Sequence, residues 1–71
     1  MEYSDHARRQ MARRNITEAD ITAALRRRQG QPAPGDNGNM VVFGYAPNQR
    51  ILKVVLSRDM NTVVSVMARG E

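Results

Sequence analysis

Two helix starts set close together, with a stop between them, constrain this chain more than any other feature it has. Ser4 and Asp5 each offer a side-chain oxygen to the unpaired amides of a first helical turn, and Asp5 also complements the helix dipole there. Thr17 repeats the signal, with Asp20 three residues on as a weaker form of the capping box. Ile16 and Ile21 stand in the hydrophobic-staple positions around it. Between the two starts, Asn15 tolerates the left-handed backbone that closes many helices. The chain therefore opens as two consecutive helices, one from Ser4 or Asp5 to near Asn15, the other from Thr17 to a stop at Gly30.

Ile21, Ala24, Leu25 and the stem of Arg28 share one face of the second helix, which is expected to pack on a sheet. Arg26, Arg27 and Arg28 are placed in its last turn, where an exposed cation is favourable by roughly 0.3–1 kcal/mol. Residues 31–39 hold turn formers without an apolar period and are expected to form a mobile loop. From residue 40 the pattern becomes short β-branched runs, over 40–46, 51–57 and 62–68, with joints of hairpin length. The middle run is apolar on both faces apart from Lys53, which suits the centre of a sheet. Residues 1–3 offer a short edge strand. The expected fold class is α+β: two N-terminal helices packed on a three- to four-stranded antiparallel sheet, in one domain spanning residues 1–71.

With 71 residues the core must be small, and stability at this size is marginal without added support. There is no cysteine, so disulfides and thiolate metal sites are excluded, and one histidine cannot make a structural zinc site. No cofactor is expected. Oligomerisation, as a homodimer, is the expected extra source of stability. The opening residues are charged and polar, and the longest apolar run, Met40–Tyr45, is far too short for a bilayer, so a soluble cytoplasmic protein with no membrane partner is expected. The net charge is +4, and seven of the eleven basic residues fall between Arg8 and Arg28. Such clustering of arginine favours nucleic acid or an acidic protein as partner, with a merely solvated surface as the plain alternative.

The residues Ser4, His6-Ala7, Gln10-Met11, Arg14-Asn15-Ile16-Thr17 and Val64-Ser65-Val66 resemble a small bacterial family of unassigned function placed beside the RelE/ParE and BrnT toxins. That family's pattern runs Ser or Thr, one residue, His-Ala, Arg-Met, then Arg-Gly-Ile-Ser/Thr. The likeness covers the whole chain in order. Two positions depart from it: Gln10 stands where the pattern has arginine, and Asn15 stands where it has glycine. The resemblance implies a RelE-like fold and, for some relatives, ribonuclease activity without a metal. It also implies RNA or the ribosome as a target and a cognate antitoxin-like protein as a partner.

On a helix, His6, Arg9, Gln10 and Arg13 return to one side at spacings of three, four and seven, which makes a candidate phosphate-handling face. A metal-free ribonuclease moves a proton from the 2′-hydroxyl, protonates the leaving oxygen and stabilises charge on phosphorus. His6 is the candidate acid or base, Arg9, Gln10 and Arg13 the substrate-binding residues, and Ser65 a catalytic hydroxyl if it reaches the same cleft. The alternative for His6 is a structural hydrogen bond that fixes the first helix on the sheet. Phe43 and Tyr45 share a side of one strand by alternation and offer a surface on which a base can stack, with core or interface packing as the alternative. Met11, Met40, Met60 and Met67 read as packing residues. The function expected is a toxin-like RNA-binding domain, with ribonuclease activity, controlled by a protein partner. A non-catalytic basic module that binds RNA or an acidic protein is the alternative.

Overall fold

The structure, a computed structural model, describes residues 1–69. A first strand β1 (Glu2–Tyr3) leads into helix α1 (Asp5–Arg14) and then α2 (Glu18–Arg26). Four further strands follow: β2 (Arg28–Pro34), β3 (Met40–Tyr45), β4 (Ile51–Leu56) and β5 (Thr62–Ala68), with one 3₁₀ turn at Asp36–Gly38. They form a single five-stranded sheet in the order β1-β5-β4-β3-β2. All neighbours are antiparallel except β1, which runs parallel to β5. The α+β class with two helices packed on a sheet is as expected, and the strand count is one above the upper expectation.

Local signals act where they were read. The Ser4 hydroxyl accepts from the Ala7 amide at 3.0 Å, and Asn15 closes α1 at φ 57°. Thr17 and Asp20 exchange both bonds of a capping box, each 3.0 Å. The staple residues Ile16 and Ile21 are both buried. Complete burial of a side chain such as Ile21 stabilises the fold by about 1.5–3 kcal/mol.

The second helix ends earlier than expected. Arg26 is its last residue and Arg27 its cap, and the Tyr45 amide donates to the Arg27 carbonyl at 3.3 Å, so the chain passes directly from helix to strand. Arg28, expected to bury its stem, is exposed, and Gly30 at φ 72° lies inside β2 instead of ending a helix. Four of the nine residues of the expected loop, 31–34, are thus strand. Four steps along β2 (Gln29 to Ala33) answer two along β3 (Phe43 to Val41), so the pairing is bulged. Prolines 32 and 34 are tolerated because β2 is an edge, where a missing amide donor costs the ladder nothing on the solvent side.

One face of the sheet carries both helices. Val42 and Ala46 of β3 and its flank, Leu52, Val54 and Leu56 of β4, and Val63, Val66 and Ala68 of β5 are buried there against Ala7, Met11, Ile21 and Ala24. Gly44 is what lets α2 lie so close: a Cβ at that position would overlap the carbonyl oxygen and carbon of Ala24. The opposite face of the sheet bears no helix.

Candidate functional site

The residues expected to form one outward face on α1 are divided by the structure. His6, Arg9 and Arg13 are exposed, whereas Gln10 is buried at 8% exposure. Four helical steps overshoot a full turn by about 40°, which rotates Gln10 away from His6 and toward Ala7 and Met11, the buried stripe. Its Oε1 accepts from the Ser65 hydroxyl at 2.9 Å and from the Val66 amide at 3.0 Å. Ser4 acts in the same way one strand position earlier, donating from its hydroxyl to the Val64 carbonyl at 2.8 Å. Beyond Val63, β5 has no strand partner on this side, so Ser4 and Gln10 supply the partners that a strand would. Ser65 is therefore reached by α1 through Gln10, and among the described residues no hydrogen bond or ion pair involves the His6 side chain.

Other charged groups near the helices have structural partners. Arg8 pairs with Glu18 at 3.4 Å and lies 5.2 Å from the Tyr3 ring centroid. Burial, with the Glu18 carboxylate beside it, holds the Tyr3 phenol above its ordinary value. Arg50 donates to the Arg14 and Asn15 carbonyls at 3.4 Å each, a cation placed at the negative end of α1. Among the described residues, no three His, Asp or Glu side chains gather as metal ligands would. A concavity of about 360 Å³ on the outer side of α2 is lined by Ala19, Thr22, Ala23, Arg26 and Arg27, and excludes both His6 and Phe43.

The helix-free face of the sheet gathers a different set of groups. Strand register places Gln29, Phe43, Lys53 and Met67 in one row across four strands. The next row holds Tyr45 and Ile51, flanked by Arg27 and Arg69, whose backbones bond to Tyr45 at 3.3 Å and Ile51 at 2.8 Å. A third row, Ala33, Val41 and Val55, is small or apolar. Among the described residues, the three rows contain Arg27, Lys53 and Arg69 and no carboxylate. Phe43 sits between Gln29 and Lys53 and is 38% exposed, high for a large apolar side chain. Tyr45 is held from two sides: Gln29 Nε2 donates to its hydroxyl at 2.9 Å, and the Arg27 guanidinium lies 5.9 Å from its ring centroid.

Phe43 and Tyr45 share a face as the alternation implied, but the cations around them escaped sequence reading. In the sequence Lys53 stands as the polar residue of a central strand, and Arg27 falls in the expected last turn of a helix. The signal that would have found them is cross-strand register, which requires knowing that β2 exists.

A comparison with curated proteins gives no match, and neither does one with solved structures. Residues 3–68 match the model of a domain of unknown function, DUF4258, and the chain belongs to that family.

Proposed function

We propose that this chain is a small RNA-binding domain that takes the polynucleotide on the helix-free face of its sheet. The observation that carries this reading is the meeting of Arg27, Lys53 and Arg69 on one face with no carboxylate beside them among the described residues, in a chain of net charge +4. Cations without acidic neighbours attract phosphate and release its condensed counterions on contact, so affinity follows salt. With three phosphate contacts to a single strand, raising salt from about 50 to about 200 mM should weaken binding roughly 10- to 20-fold. Fluorescence anisotropy with a labelled RNA measures this directly. Reversing two charges, in Arg27→Glu with Lys53→Glu, should abolish binding in protein that still melts cooperatively. Undiminished binding by that variant would move the interface elsewhere.

A second reading is supported by α1, where His6, Arg9 and Arg13 stand exposed with no carboxylate partner among the described residues. In it, His6 exchanges a proton with the RNA 2′-hydroxyl or leaving oxygen while the arginines hold the phosphate, and Ser65 stays behind Gln10 as a positioning group. The resemblance to RelE/ParE and BrnT toxins, a cytoplasmic location, and control by a cognate antitoxin-like protein belong to this reading. Incubation with bacterial RNA in chelator, beside His6→Ala, tests it. Cleavage by the parent alone supports a metal-independent ribonuclease, and no cleavage by folded parent protein leaves a binding module.

A further inference from the structure

We infer that the helix-free face takes RNA as an unpaired strand, with a base stacked on the Phe43 ring. The inference rests on the reading of this face as an RNA interface and adds the form of RNA it accepts.

Phe43 lies in the middle row of the sheet, with Lys53 opposite it on β4 and Gln29 opposite it on β2. Its ring is exposed on the same face that carries Arg27 and Arg69 in the neighbouring row. An exposed aromatic ring inside a set of cations offers a base a stacking surface while its phosphate stays within reach of a positive charge. Gln29 adds an amide beside the ring, and Tyr45, anchored by Gln29 and Arg27, extends the aromatic surface along β3.

Duplex RNA does not fit this arrangement. In an A-form helix the base faces are already stacked, the major groove is deep and narrow, and the wide, shallow minor groove offers 2′-hydroxyls and base edges. A broad sheet face meets such a duplex at its backbone and base edges, with no open base face for the Phe43 ring. A second copy of this chain does not fit either, because pairing the face with itself sets Arg27, Lys53 and Arg69 against their own kind in a partly dry interface.

The test uses the full chain with a labelled RNA oligonucleotide of non-pairing sequence, and the same oligonucleotide annealed to its complement. Thermal melts accompany Phe43→Leu, which keeps an apolar side chain, and Phe43→Tyr, which keeps an aromatic one. The expected result is at least tenfold preference for the unpaired strand, about a tenfold loss in Phe43→Leu, and near-normal binding in Phe43→Tyr. Equal binding of strand and duplex, or unchanged affinity in folded Phe43→Leu, would overturn the stacking inference and leave the RNA reading in place. Absence of RNA binding by folded parent protein would remove both. Tighter binding of poly-glutamate than of RNA at matched salt would also overturn it, in favour of an acidic protein partner.

Discussion

The two faces of one sheet are built by opposite rules. The helix-covered face is aliphatic and fully packed: Leu52, Val54, Leu56, Val63 and Val66 have no exposed surface. The open face alternates with it residue by residue along β3 and β4, and along β5 apart from a bulge between Val63 and Val66, yet carries Arg27, Tyr45, Phe43, Lys53 and Arg69. Alternation of side chains lets a single strand meet both demands, one set by packing density and one free of it. The covered face specifies the fold, and the open face is where the chain can hold chemistry without loss of stability.

Stability measurements can break that contrast. Leu52→Ala should have the largest effect, about 2–5 kcal/mol by denaturant melting, because it removes buried methyl groups and leaves a cavity. Its open-face counterpart, Phe43→Ser, should cost less, about 1–2 kcal/mol, because the ring is partly exposed and only some of its apolar area and strand preference is lost. Comparable losses in the two would show that the open face also holds the fold together.

An intermediate effect sharpens the picture at the α1–β5 seam. Gln10→Leu fills the same space but leaves the Val66 amide and Ser65 hydroxyl without their acceptor, at a cost of about 1–3 kcal/mol. Gln10→Glu keeps an acceptor oxygen and should lose less. If leucine is as good as glutamine in a chemical melt, the buried amide has no structural part and its place on α1 needs another account.

The smallest effect concerns the β4–β5 turn. The Asp59 carboxylate accepts from the Ser57 hydroxyl at 2.6 Å and from the Asn61 amide at 3.0 Å, and these bonds hold its pKa below the ordinary carboxylate value. A lowered folded-state pKa contributes stability above the unfolded value, and that stability is lost as pH falls through the folded value. Asp59→Asn should therefore flatten the acid limb of a stability–pH curve slightly, by lowering the neutral plateau a little while leaving stability at low pH nearly unchanged. A steeper limb would contradict the sign.

What was legible in the sequence is what depends on near neighbours. Ser4, Asn15 and the Thr17–Asp20 box are local devices, and each acts where it was read. Strands β3, β4 and β5 announce themselves by β-branched runs. Strand β2 does not, because it is held by backbone bonds to β3 and buries almost none of its side chains, so its prolines and glycine look like a loop. That hidden strand also conceals the partners of Phe43 and Tyr45. Gln10 was misplaced for a related reason: its partners are 55 and 56 residues away, and nothing near it in the chain reports them.

The seam that Ser4 and Gln10 make with β5 also sets an order of events during synthesis. Their partners, Val64, Ser65 and Val66, are among the last described residues to leave the ribosome. The caps of both helices are local, but helices this short are marginal alone, and α1 has no strand edge to dock on until β5 appears. A nascent chain stalled after β4 should present α1 with Ala7, Met11 and Gln10 uncovered, a basic helix with a bare apolar stripe tethered at the exit of an RNA-rich machine.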